Sequence, residues 1–484
     1  MKNAVFLFFI GLCLCVLSIS VCDSGGGGSD STVCTGEDTV VYVSIESGDD
    51  ELNPGTKASP KKTIQEGINC AARVFSAGEV HVAEGEYHID GSVSAFAQSR
   101  AGIVLRQGIS VYGGYASSDW DEDRDSAVYE TVVTDDSTGE TGYFAKPNRV
   151  FHAGGGITSE TVIDGLTING GGGDYSSGIA CLGGSPTIIN NTINGGSGSS
   201  KSYGIYISDS SAVISDNTVN GGGGGVYTYG IACDEANATV YENIISGGSG
   251  STGSYGIDLY YSNDLIRANT VNGGTSDGAS FGVMITGASP SLYNNVISGQ
   301  GGSPASSYGI YFGSALDSGT PFIANNTVEA GNGTTSSCGI EVTTSGPDIV
   351  NNIIRVTSGT ARYGIRESGT ESEADPSSVE NNDVYLASGG TFRYLYVDVQ
   401  TGYNDYTVIC SGNFGVSGCG SAVSTPAGEN NVSDNPNFDS NKRLTSSSPI
   451  SVSQGGKTLS SRFTQDRDGN TRTVPWSMGA FERD

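Results

Sequence analysis

The chain has 484 residues and carries 23 Lys and Arg against 52 Asp and Glu, a formal charge of −29. That balance repels nucleic acid and anionic lipid, so neither is expected as a partner. The acids are scattered rather than grouped at calcium-loop spacing, so their expected role is to keep a Gly-rich chain soluble. Ca2+ binding is the alternative, and no other cofactor or metal site is expected.

Residues 1–21 begin with Lys2 and continue through Val5, Phe6, Leu7, Phe8, Phe9, Ile10, Leu12, Leu14, Val16 and Leu17. This is the charged start and apolar middle of a secretion signal, too short to serve as a spanning anchor, and no later stretch is apolar enough to span. Removing it takes away only Lys2, leaving −30. Cys22 follows Ile19-Ser20-Val21 and precedes Asp23-Ser24-Gly25-Gly26-Gly27-Gly28-Ser29, a flexible tether within residues 22–38. The arrangement resembles the lipobox of bacterial lipoproteins, which implies a lipid on Cys22 that ties an exported protein to a membrane without crossing it. Ordinary secretion with cleavage nearby is the alternative.

Residues 39–78 are expected to form an N-terminal strand and a capping helix. Ser59 is the expected N-cap, Pro60 lies in the first turn, and Ile64, Ile68 and Ala71 share one face. In an oxidising compartment Cys34 pairs most simply with Cys70, and Cys410 with Cys419.

Residues 79–429 carry the repeat, most regular over about 160–390. Ser177-Gly178-Ile179 recurs as Tyr203-Gly204-Ile205, Tyr229-Gly230-Ile231, Tyr255-Gly256-Ile257, Phe281-Gly282-Val283, Tyr308-Gly309-Ile310, Cys338-Gly339-Ile340 and Tyr363-Gly364-Ile365. The glycines lie 26, 26, 26, 26, 27, 30 and 25 residues apart. A second motif keeps the same beat at Asn191, Asn217, Asn243, Asn269, Asn295, Asn326, Asn352 and Asn382. Gly165 takes the equivalent place one period earlier.

Each period holds two or three short alternating runs separated by Gly, Ser, Asn and Asp, without a helix long enough for a crossover. Such a coil buries its apolar face only by stacking on its copies. The expected fold is therefore all-β, a single-stranded right-handed parallel β-helix, or solenoid. Twelve or so coils would give a rod of roughly 55–60 Å. Residues 430–484 lose the repeat and are expected to form an irregular C-terminal cap.

Alternation predicts an interior column at Cys181, Ile207, Cys233, Leu259, Ile285, Phe312 and Val342, with Cys181 and Cys233 as apolar fillers. The same counting places the Tyr203 column inward as an aromatic stack, with Cys338 substituting in it; a sugar platform is the alternative. The Asn column is expected to supply left-handed corners and a hydrogen-bonded ladder.

The N-terminal segment from Tyr42-Val43-Ser44 through Gly48-Asp49-Asp50 to Ser59-Pro60-Lys61-Lys62-Thr63-Ile64-Gln65 resembles that of secreted bacterial right-handed parallel β-helix repeat proteins. At the other end, Asp434-Asn435-Pro436-Asn437-Phe438, Ser448-Pro449-Ile450, and Asp466-Arg467-Asp468-Gly469-Asn470-Thr471-Arg472 to Met478-Gly479-Ala480-Phe481-Glu482 resemble the ending of choice-of-anchor Q domain proteins. The resemblance implies the fold and export. Such families include lyases, hydrolases, epimerases and adhesins, so fold alone selects no activity.

No set typical of those enzymes is evident. His81, His88 and His152 precede the regular repeats outside any motif, Asp135-Asp136 reads as a solvated loop, and Lys201 is the only lysine between 170 and 400. The best cluster is the outward column two residues after the repeat glycine, in which Tyr206, Asp258, Tyr311, Glu341 and Arg366 form a candidate glycan-facing strip. Glu341 and Arg366 are alternatively an exposed cross-coil ion pair. The expected protein is a surface-anchored, adhesive or glycan-binding scaffold whose partner is an extracellular or cell-wall glycan. A polysaccharide lyase or glycosidase is the alternative, and oligomeric state is left open.

Overall fold

The computed structural model describes residues 33–89, 101–136, 148–299, 302, 304–313, 319–343, 346–368, 376–388, 392–399, 406–408 and 430–483. The expected signal, Cys22, Cys410 and Cys419 lie outside them.

Three parallel sheets of 12, 12 and 11 strands wind around one apolar core, as expected of a right-handed parallel β-helix. Each regular coil contributes a long strand such as Lys201–Ser208 and two short ones such as Val213–Ser215 and Thr218–Asn220. Every one of these pairs in register with its equivalent one coil away: Ile205 with Ile231, Ile214 with Val240, Val219 with Ile245. The sheets are called here the long-strand, first short-strand and second short-strand sheets. One antiparallel strand, Tyr406–Val408, ends the long-strand sheet against Phe392–Val399.

Register puts like on like. Ile205, Ile207, Ile214 and Val219 are buried in one coil, and Ile231, Cys233, Val240 and Ile245 in the next. Losing one such side chain to Ala costs about 2–5 kcal/mol. Cys181 and Cys233 occupy the expected filler positions on either side of Ile207 and are thiols.

The Asn column is a buried ladder at 0–2% exposure. The Asn217 backbone N–H donates to Oδ1 of Asn243 at 2.9 Å, while its Nδ2 donates to the Ile188 and Ser215 carbonyls at 2.9 and 2.8 Å. Its own Oδ1 accepts from the Asn191 backbone N–H at 2.9 Å. The same step repeats to Asn382, whose backbone N–H reaches Oδ1 of Asn431. The expected corner role falls one residue earlier, because a side chain turned inward to bond the next coil must follow the bend rather than make it. The left-handed residues are Gly165, Asn190, Asp216, Glu242, Ala268, Asn294, Asn325, Asn351 and Asn381, with φ between 51° and 74°. Gly165 thus aligns with Asn190, and Leu166 stands in the ladder position, its N–H donating to Asn191 Oδ1.

The helix at the N-terminal end spans Ile64–Val74 and buries Ile64, Gly67, Ile68, Cys70 and Ala71. Its N-cap is Thr63 rather than Ser59, with the hydroxyl accepting from Glu66 N at 3.3 Å. Pro60 and Lys61 are instead extended beside Val40–Val43, Lys61 donating to the Tyr42 carbonyl and accepting from Ser44. Backbone pairing therefore competes out the earlier start. Cys70 is buried with its thiol against that of Cys34, and burial, then this contact, pushes its pKa up to about 12.

The C-terminal segment adds one rung at Asn431-Val432 and then runs back along the flank of the rod. There it reads the outer corner column. Nδ2 of Asn294, Asn325, Asn351 and Asn381 donates to the carbonyls of Gln465, Ser477, Lys457 and Gly455 at 2.7–3.1 Å. Phe463 stacks on Tyr293 at 4.5 Å, and Val452 and Met478 bury Ile353.

Two outcomes are expected. Asn243→Ala strands polar groups on two coils and lowers unfolding free energy by about 3 kcal/mol in urea titrations, whereas Glu242→Ala beside it changes stability by less than about 0.5 kcal/mol. Protein matured under oxidising conditions carries a Cys34 to Cys70 disulfide by non-reducing peptide mapping, worth about 2–4 kcal/mol relative to the reduced form; a free thiol at Cys34 in that material contradicts the pairing.

Candidate functional site

The outer face of the long-strand sheet collects the candidate functional side chains. Gly204 and Ile205 both face the core, since a Cβ on Gly204 would lie 2.4 Å from Val219 Cγ1. Strict alternation fails there, and the inward place two residues before the glycine goes to a buried Ser column, Ser176, Ser202, Ser254, Ser280, Ser307 and Ser337. Ser202 Oγ donates to the Gly195 carbonyl at 2.8 Å. The tyrosine column expected inside therefore stands outside, with Tyr229 and Phe281 buried and Tyr203, Tyr255 and Tyr308 half-buried in their own stack.

Tyr203, Tyr229, Tyr255, Phe281 and Tyr308 are stacked with centroids 4.7–5.0 Å apart and planes within 14°. Stacking along the axis uses up the ring faces and leaves edges and hydroxyls toward solvent, so the column is a wall rather than a sugar platform. Cys338 interrupts it in register with Tyr308 and Tyr363.

The expected strip divides in two. Glu341 is 3% exposed and accepts from Arg366 Nε at 3.0 Å and from Ser368 Oγ at 2.7 Å. Arg366 also lies 4.3 Å over the Tyr363 ring. The pair is thus buried and mutually satisfied, not exposed, because the short Cys338 side chain leaves a gap that it fills. Tyr311 packs edge-on against Phe281 and Tyr308 at 5.5 and 5.1 Å. These three stabilise the wall.

Tyr206 and Asp258 remain presented. Tyr206 Oη donates to Asp234 Oδ2 at 3.2 Å, and its ring meets Tyr203 at 5.1 Å. Asp258 stands in register with Ala232 and Met284, residues that offer it no hydrogen bond. Burial, partly offset by the charge of Lys201 and reinforced by Asp234, pushes its carboxyl up to about 7. Lys201 Nζ lies 5.9 Å from the Tyr229 ring. Asp234 and Lys201 were not singled out by the sequence; the signal available was their fixed offset from the repeat glycine, in columns that otherwise carry small polar or aromatic residues.

At the N-terminal end of the same face, Arg149 and His152 lie in register with Ser177 and Ala180. Arg149 Nη1 is 3.3 Å from His152 Nδ1. Burial, then the neighbouring guanidinium, holds the His152 pKa below its ordinary value. The remaining histidines are structural: His81 stacks on Tyr115 at 4.2 Å, and His88 Nδ1 bonds Asp136 at 2.7 Å. Asp135 is buried at the end of the strand Thr131–Asp135 rather than solvated. Among the described residues no cluster of His, Cys, Asp and Glu could hold a metal ion.

Residues 177–354 match the family described as right handed beta helix region. No curated protein matches the sequence. Similar solved structures include a pectate lyase at 13% identity, covering 94% of this chain and 98% of that one with a TM-score of 0.47. The A-module of a mannuronan C-5 epimerase from Azotobacter vinelandii is 18% identical, covering 73% and 99% with a TM-score of 0.39. A tailspike capsular polysaccharide depolymerase from an Acinetobacter baumannii bacteriophage is 13% identical, covering 75% and 65% with a TM-score of 0.39.

Asp258 makes stability depend on pH with a definite sign. Its folded pKa of about 7 exceeds the ordinary 3.8, so its contribution is fully present below the unfolded value and is lost as pH rises through the folded one. Burial shifts Asp264 and Asp383 the same way. Asp258→Asn is expected to melt higher than wild type at pH 8 and at the wild-type temperature at pH 4; equal melting at pH 8 contradicts the desolvated carboxyl.

Proposed function

We propose that the protein is an exported scaffold, held at the cell envelope by a lipid on Cys22, that binds an extracellular glycan along the outer face of the long-strand sheet. The observation that carries this reading is Asp258. Its carboxyl is desolvated on an outward face, beside the aromatic wall, without a hydrogen-bonding neighbour among the described residues. A half-buried carboxyl in that state has lost hydration that the hydrogen-bonding groups of a ligand can replace. Sugar hydroxyls supply them in pairs, and Tyr206, Asp234 and Lys201 add further donors and acceptors within two coils. The axial run of ring edges and hydroxyls matches a polymer better than a compact small molecule.

One feature favours cleavage of the bound chain as a second reading. A carboxyl titrating near neutrality with another carboxylate close by is the pairing that glycosidic bond chemistry uses.

Affinity electrophoresis of residues 30–484 through gels containing neutral or acidic polysaccharides tests the binding. At least one polysaccharide is expected to retard the protein, with Asp258→Asn weakening the interaction about tenfold, near 1.4 kcal/mol; mobility unchanged in every gel removes the reading. Reducing-end or unsaturated products that vanish with Asp258→Asn would establish the second reading instead. For the anchor, Cys22→Ser is expected to release the protein into the aqueous phase of a detergent partition, and unchanged retention refutes lipidation at that cysteine.

A further inference from the structure

Among the described residues three arginines are more than nine-tenths buried, and two of them have several partners. Arg472 pairs with Glu482 at 3.1 Å, and Arg362 donates to the carbonyls of Gly359, Ala387 and Ser388 at 2.8–3.2 Å. Arg149 is 6% exposed and differs from both. Among the described residues it makes one hydrogen bond, to His152, and no carboxylate lies within ion-pair distance; its Nε is buried without a partner, as is that of Arg472, which however keeps the Glu482 ion pair. A buried guanidinium without a counter-charge is among the costlier arrangements in a protein. The fold does not require it, because the equivalent positions in following coils are Ser177, Tyr203 and Tyr229.

The surroundings say what would relieve it. Ser177 and Ala180, both small, stand on the coil between Arg149 and His152 and, two coils on, Tyr203 and Tyr206. A cation, an imidazole, and two phenols with unionised hydroxyls therefore line two successive steps of the outer face, with only small side chains between them. Burial lowers the Arg149 pKa. The guanidinium fork matches a planar or tetrahedral oxyanion.

We infer that Arg149 and His152 hold the anionic substituent, a carboxylate or a sulfate, of a sugar unit seated against Tyr203 and Tyr206. This rests on the glycan-binding reading of the same face and adds the class of sugar. Asp234 and Asp258, on the second and third coils beyond Ala180, then meet the neutral hydroxyls of the units that follow.

Thermal melts of residues 30–484 with sodium galacturonate, galactose 6-sulfate or galactose, at matched concentration and ionic strength, separate the outcomes. Galacturonate or galactose 6-sulfate is expected to raise the wild-type midpoint while galactose does not, the larger shift identifying the substituent. Arg149→Met is expected to melt above wild type without anion, since it removes the unpaired charge, and to lose the shift; Arg149→Lys keeps part of it. An equal shift with galactose, a shift retained in Arg149→Met, or no shift with either anion overturns the inference. Monosaccharide melts do not depend on polymer binding. Retardation by a polysaccharide with no anion shift leaves the glycan-binding face standing and removes this site, and the reverse result does the opposite.

Discussion

Every coil of this protein leaves backbone and side-chain amides that only the next coil can satisfy. The buried Asn column concentrates that constraint. Each Asn donates its backbone N–H to the amide oxygen of the Asn in the neighbouring coil and returns its own Nδ2 to carbonyls on two coils. A slip by one residue would break all of these bonds and turn Ile205, Ile214 and Val219 toward water. Register, core and corner are therefore one property. The isolated 26-residue period has no stable alternative, since its apolar face and its amides are completed from outside it.

The same corner carries a second code one residue earlier. The left-handed position needs a residue that tolerates positive φ, and both Asn and short acids serve. The four coils before that of Asn294 carry Asn190, Asp216, Glu242 and Ala268 there, of which Asp216 and Glu242 face solvent. Where residues 455–479 cross the flank the position is Asn294, Asn325, Asn351 and Asn381, each bonded to a carbonyl of the crossing segment. The C-terminal region thus binds several coils together laterally. An acid at those corners would present acceptors to carbonyl oxygens and be repelled.

Much of this was legible in the residues. Eight in-phase glycines and eight in-phase asparagines specify coil length, parallel stacking and the interior Ile207 column. The inside and outside of the tyrosine column were not legible, because alternation assumes a straight strand and Gly204 bends it so that two consecutive residues face the core. The true N-cap was hidden for a related reason: Pro60 and Lys61 satisfy helix-start rules locally, yet pair with Val40–Val43, which lies far back in sequence. Of the candidate strip, Tyr206 and Asp258 face outward as expected. Glu341 and Arg366 are outward by register but enclosed by their neighbours, and no one-dimensional count reports that a cysteine in the next column leaves room for them. Arg149 escaped notice, and His152 was set aside, because they precede the regular repeat and the step they form needs the coil beyond.

The proposed function attaches to one face of the rod, at positions where polar groups are left incomplete. The claim beneath it is register. Paired cysteines on the exposed side of the second short-strand sheet test it directly, since Thr218 faces Ile244 one coil away and Thr192 lies one coil further. Adjacent parallel strands sit about 4.8 Å apart, within disulfide reach, while two coils span about 9.6 Å. Under mild oxidation Thr218→Cys with Ile244→Cys should form an intramolecular bond and Thr192→Cys with Ile244→Cys should not; equal crosslinking of both pairs, or of neither, would contradict the stacked coil.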